Sequence, residues 1–127
     1  SSFFKMPLLE GNILKIDRGK LNYSKVGMSV LLNDKVVPDG EYFADSGFFD
    51  RLIGYQIVES KIKDLFWLII FTTSYGTFKI YQNNQNAFSI GDRVLLNDKI
   101  APNGKYKIQF MDYITVINGV ISNTSIF

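Results

Sequence analysis

The chain has 127 residues, enough for one ordinary domain or two very small ones, and is 46% hydrophobic and 15% aromatic, which excludes a disordered segment. A net charge of +2 and a pI near 8.8 are too mild to announce a nucleic-acid-binding protein. Cysteine and histidine are both absent, which removes disulfides, thiolate nucleophiles, Cys-bearing metal sites and the commonest general base.

In chain order, residues 1–7 lack a basic stretch followed by an apolar one, so no targeting segment is expected within them. Residues 12–16 read as a short strand and 17–20 as a turn. Val30–Leu32 is a second strand, closed by Asn33 and Asp34, whose side chains bond their own backbone and favour turns. Pro38, Asp39 and Gly40 read as a type I turn with the positive φ of a bulged hairpin at Gly40, and Tyr42 and Phe43 start the return strand. Residues 44–54 read as a loop and 55–58 as a strand. The most apolar run, 65–71, is too short to cross a bilayer as a helix and reads as a strand buried on both faces.

Strands follow at 77–81, 94–96, 105–110, 113–117 and 120–127, with a polar loop at 82–86. Asn118-Gly119 between Ile117 and Val120 is the strongest hairpin signal. β-branched and aromatic residues dominate and no long stretch has a 3.6-residue apolar period, so at most one short helical turn, near 86–90, is expected. The expectation is an all-β, antiparallel protein.

The chain also repeats itself. At an offset of 64 residues, Gly27/Gly91, Val30/Val94, Leu31/Leu95, Leu32/Leu96, Asn33/Asn97, Asp34/Asp98, Lys35/Lys99, Pro38/Pro102, Gly40/Gly104 and Tyr42/Tyr106 are identical. Such an internal duplication predicts two repeats, about 1–66 and 67–127, folding as a single domain over 1–127. A unit of that size is marginal alone, so a shared core is expected, in a barrel or sandwich with a pseudo-two-fold relation. Two separate small barrels are the alternative, although no Gly/Ser/Pro linker separates the halves near Phe66 and Trp67.

The repeat separates scaffold from function. Features kept in both halves are accounted for by turns and core, the Asn-Asp-Lys triplets at 33–35 and 97–99 included. Ile57-Val58 aligns with Val116-Ile117 at an offset of 59, which leaves five extra residues between Phe43 and Tyr55. The insertion puts Phe48 and Phe49 beside Asp50 and Arg51, an aromatic pair flanked by charges, and these four are the candidate partner-binding residues. The structural alternative tucks the two phenylalanines into the end of the fold.

Other constellations carry less. Asp34, Asp39 and Glu41 suggest a calcium site, but the second repeat keeps only Asp98. Asp45 and Asp50 form one of the many carboxylate pairs that twelve acidic residues offer. Lys15, Arg18, Lys20 and Lys25 cluster as a nucleic-acid face would, yet Gln82 and Asn84 stand opposite Arg18 and Lys20. Trp67 and seven tyrosines leave carbohydrate stacking open, although Trp67 sits in the most apolar strand.

The pattern Val94-x-Leu96, Ala101-Pro102-Asn103-Gly104-x-Tyr106, then Ile114-x-Val116-x-Asn118-Gly119-x-Ile121 resembles short hairpin modules of virion-associated proteins of tailed bacteriophages. It covers about 30 residues of the second half, and more loosely the first, where Val37 replaces the alanine. The resemblance implies a structural, assembly-related role and supplies no catalytic residue. The reading is therefore a non-enzymatic structural or protein–protein interaction module without cofactor or metal, in a homo-oligomeric or partner-bound state. A soluble carbohydrate- or small-ligand-binding module is the alternative. Residues 120–127 carry no charge and no proline, so they form either an inner strand or an open edge.

Overall fold

A computed structural model describes residues 3–47, 51–82, 88–109 and 112–127, and among them there are strands and turns but no helix. The chain divides into two compact units, Ser1–Leu65 and Phe66–Phe127, a boundary close to the one the repeat predicts. In the first unit β1 (Phe3–Pro7), β2 (Ile13–Asp17) and β3 (Val30–Leu32) form an antiparallel sheet in that order, while β4 (Gly40–Asp45) pairs with β5 (Arg51–Val58). β6 (Lys61–Thr73) follows β5 and contains the boundary. The second unit adds β7 (Gly76–Gln82), β8 (Arg93–Leu96), β9 (Lys99–Ile100), β10 (Gly104–Gln109), β11 (Asp112–Ile117) and β12 (Val120–Ser125). Its order is β10-β11-β12-β8-β7-β6, with β9 on β8.

The turns follow from their residues. Asn33 and Asp34 have φ of 48° and 67°, and Asn97 and Asp98 of 51° and 64°, a left-handed pair that Asn and Asp tolerate better than other non-glycine residues. Each asparagine also ties this turn to the preceding strand. The Asn33 side-chain carbonyl accepts the Ile13 N–H at 2.9 Å, and the Asn97 carbonyl accepts that of Thr77 at 3.0 Å. Beside them Lys15 pairs with Asp34, and Lys79 with Asp98. The Asn118-Gly119 hairpin forms as expected between β11 and β12. Its counterpart, Glu59-Ser60, holds two non-glycine residues at φ of 52° and 59°, a conformation the sequence did not announce. Asp39 accepts the Glu59 N–H at 2.9 Å, as Asn103 accepts that of Asn118 at 2.8 Å.

The Pro-Asp/Asn-Gly segments differ from the expectation. They are not hairpin turns, because β4 pairs with β5 and not with β3. Gly40, at φ 158°, opens β4 in an almost extended conformation, and a Cβ there meets the Tyr42 ring at 3.8 Å. The tyrosine folds back so that its hydroxyl donates to the Pro38 carbonyl at 2.6 Å; Tyr106 does the same to Pro102 at 2.7 Å. The expected loop at 44–54 is also shorter, since β4 runs to Asp45 and β5 begins at Arg51. Of the helical turn at 86–90, residues 86–87 lie outside the described residues and 88–90 lead into a turn. β1 and β9 were not expected; Pro7 sits at the end of β1, an edge strand, where its missing N–H is tolerated.

Buried residues form two clusters, one within each unit. The first gathers Leu14, Ile16, Val30, Tyr55, Ile57 and Ile62, and the second Ile69, Phe78, Ile80, Val94, Val116 and Ile121, among others. No hydrogen-bonded barrel closes among the described residues. In the first unit the residues after β1 meet β4 through the Leu8–Ala44 bridge and the Leu9 N–H, which donates to the Phe43 carbonyl. Residues 65–71 contain no exposed side chain, in line with a strand covered on both faces. β12 lies inside its sheet, but it pairs with β8 at Val120 alone.

Phe78, with no exposed surface, is expected to lose about 3–5 kcal/mol of stability on replacement by alanine. Asn97→Ala, which removes the acceptor of the Thr77 N–H, is expected to cost about 0.5–1.5 kcal/mol. Denaturant unfolding of both variants checks the order; an Asn97 variant as stable as the parent removes the tie from the account of the fold.

Candidate functional site

Polar residues shared by the two repeats are largely engaged in the bonds above, so a candidate site is sought where the units differ. Among the predicted contact residues, Phe48, Phe49 and Asp50 lie outside the described residues. Arg51 begins β5, half-buried, and its carbonyl accepts the Ser46 hydroxyl at 2.7 Å. Asp45 is exposed at the end of β4 and accepts the Gly47 N–H at 2.8 Å. In the basic cluster, Lys15 is paired with Asp34, and the Arg18 guanidinium lies 3.4 Å over the Phe4 ring while Nε donates to Ser24 at 3.1 Å. Structure thus uses two of its four charges. Trp67 is half-buried against the second cluster.

Among the described residues, the units differ on the outward face of β1–β3 and its equivalent. Ile16 and Val30 point into the core, so their neighbours Asp17 and Ser29 point out. Phe3 stands opposite Asp17, the Asp17 N–H donates to the Ser29 carbonyl at 2.9 Å, and Ser29 bridges to Lys61. Phe3 on β1, Asp17 on β2, Ser29 just before β3 and Lys61 on β6 therefore form one row, all exposed. Two residues along, Lys5 faces Lys15 and Lys15 faces Leu31 in a second row. Two depressions open on this face. The larger, about 420 Å³, is lined by Phe3, Asp17, Leu31, Val36, Glu59 and Lys61 among others. The smaller, about 210 Å³, is lined by Lys5, Ile13, Lys15, Asn33 and Asp34.

In the second unit the same rows read Leu68, Tyr81, Arg93, Val120 and Ile70, Lys79, Leu95, Ile100. Leu68 is buried, the Arg93 guanidinium covers the Tyr81 ring at 4.0 Å, and Ile100 sits so close over Gly119 that a Cβ there meets its Cγ2 at 2.8 Å. That face carries side chains stacked on one another where the first unit has a depression.

The electrostatics of the first-unit face are uneven. Lys5 and Lys15 lie directly opposite each other, an arrangement that destabilises a sheet unless a counter-charge intervenes. Asp34 supplies one. Its hydrogen bond and ion pair with Lys15, aided by Lys5, hold its carboxyl below the ordinary value. Two amines against one carboxylate leave this end positive, whereas Asp17 and Glu59 against Lys61 leave the larger depression negative. Chemically the face can bind by burying an apolar group between ends of opposite charge. The described residues hold no group of three or more carboxylates of the kind a metal ion takes, and none of them belongs to a helix long and apolar enough to cross a membrane. No family model, curated protein or solved structure matches the chain. Sequence reasoning passed over this face because Phe3–Pro7 was not read as a strand; comparing outward positions at the repeat offset is the signal that finds it.

Because Asp34 titrates below its ordinary value in the folded chain, its stabilisation is present above about pH 3.8 and is lost as the pH falls through the depressed value. Urea midpoints between about pH 5 and 2 are therefore expected to fall less steeply for Asp34→Asn than for the parent chain. Equal acid-side slopes would mean that the Lys15 pair is too well screened to matter.

Proposed function

We propose that the chain is a non-enzymatic structural or protein–protein interaction module, a component of a larger, virion-like assembly. The observation that carries this reading is the contrast between the two units. Shared polar residues serve the scaffold, while the first unit presents on β1–β3 an exposed, partly apolar face with two unevenly charged depressions. Apolar residues left in water at matching places, Val26 and Ile90 or Val36 and Ile100, add contact surface of the same kind. The likeness of residues 94–121 to virion hairpin modules points the same way. In this reading the two units are copies made by an internal duplication and belong to a single domain. Phe48, Phe49, Asp50 and Arg51 then form a contact for self-association.

A carbohydrate-binding reading is favoured by one feature, the exposed rings of Phe3 and Tyr75, the latter packed edge-on against Tyr106 at 5.2 Å. Two measurements decide. Light scattering is expected to show an oligomer for the intact chain and a smaller species for the Phe48→Ser/Phe49→Ser double variant, and a glycan array is expected to stay blank. A monomer in both samples, with reproducible sugar binding abolished by Tyr75→Ala or Phe3→Ala, would replace the interaction module by the sugar binder.

A further inference from the structure

We infer that the outward face of β1–β3 takes an extended segment of a protein partner, one that seats a basic residue with its aliphatic stem in the larger depression and places an acidic residue two positions away. The inference rests on the interaction-module reading and adds the chemistry of its partner. Its first support is spacing. The Phe3–Asp17–Ser29–Lys61 row and the Lys5–Lys15–Leu31 row lie two residues apart along their strands, about 7 Å. Alternate residues of an extended peptide are spaced the same way, so side chains two apart in a bound segment meet successive rows.

Charge supplies the second support. Asp17 and Glu59 outnumber Lys61 at the larger depression, which suits a lysine or arginine. The Asp17 carboxylate accepts one N–H, from Gly19 at 3.1 Å, and Lys61 and Glu59 are exposed. Lys5 and Lys15 share Asp34 at the smaller depression, which suits an aspartate or glutamate that relieves the repulsion between the two opposed amines. Between these ends Phe3, Leu31 and Val36 offer apolar walls, Phe3 and Val36 being 43% and 77% exposed. A cavity of about 420 Å³ is ample for one lysine or arginine side chain, its aliphatic stem lying along these walls.

The third support is the duplicate. Tyr81, Arg93, Gly119 and Ile100 occupy the places of Asp17, Ser29, Ser60 and Val36; there Arg93 stacks on Tyr81 and Ile100 packs over Gly119. One face of a duplicated pair has thus been left open with charges of both signs, while the scaffold bonds beneath it are the same. A small contact of this kind belongs to the weak, transient class of interfaces, in which opposite charges set specificity and on-rate.

The test is a selection of random nonapeptides, displayed on yeast, against the intact chain, followed by fluorescence anisotropy with the enriched peptides. Enriched peptides are expected to share an acidic residue two positions from a basic one. Asp17→Asn/Glu59→Gln and Lys5→Gln are each expected to weaken them by about tenfold, with Lys20→Gln without effect. All of these residues are exposed, so an unchanged melting temperature certifies the fold. Reversing the charges with Asp17→Lys/Glu59→Lys is expected to turn the preference from a basic to an acidic residue at that position. Peptides that bind equally well to every variant overturn the assignment to this face but leave the interaction module standing. No enriched peptide, together with sugar binding that Phe3→Ser abolishes, overturns both.

Discussion

Two asparagine side chains, Asn33 and Asn97, hold each unit in register. Each sits in a left-handed turn and reaches back to accept a backbone N–H from the strand before it, while its own N–H donates to the same strand. The pair of bonds settles which residue of β2 faces which residue of β3, and likewise for β7 and β8. A one-residue slip would carry Leu14 and Ile16 into solvent and Lys15 into the core, so the turn and the hydrophobic pattern enforce the same answer. The neighbouring Lys15–Asp34 and Lys79–Asp98 pairs are too exposed to contribute much by themselves and act instead as surface bonds over a register already chosen.

Around that tie the two units share bonds almost one for one. Gly27 and Gly91 donate to Ile62 and Ile121, and Val30 and Val94 donate to Ser60 and Gly119, at distances within 0.1 Å of each other. Both second-position tyrosines close the proline segment through their hydroxyls. What differs is the outward set of residues. Their contribution to stability is small, so substitutions there are tolerated and one scaffold can carry two unlike surfaces. Phe3, Asp17, Ser29 and Lys61 line a depression, whereas at the equivalent place Arg93 stacks on Tyr81. The difference lies wholly in side chains on a common register.

Turn chemistry and the alternating pattern made most strands legible. Val30–Leu32, the Asn118-Gly119 hairpin and the apolar run in β6 are where local composition predicted them, because their residues admit few other conformations. The Pro-Asp/Asn-Gly segments misled for a physical reason. A turn sequence specifies a change of direction, not the strand that receives the chain afterwards, and β4 found its partner in β5. Glu59-Ser60 was invisible because its left-handed backbone is held by Asp39, twenty residues away, and not by any preference of its own.

By itself the sequence determined that the chain is all-β and antiparallel, that it repeats with an offset of 64, and that its shared asparagines, aspartates and tyrosines belong to the scaffold. Those are matters of backbone conformation and periodicity, and both are local. Tertiary structure alone decided that the buried residues gather into one cluster per unit, and that Phe3, Asp17, Ser29 and Lys61 stand side by side although they come from distant parts of the chain. Adjacency across strands is set by register summed over several pairings. No single stretch of the chain contains that sum.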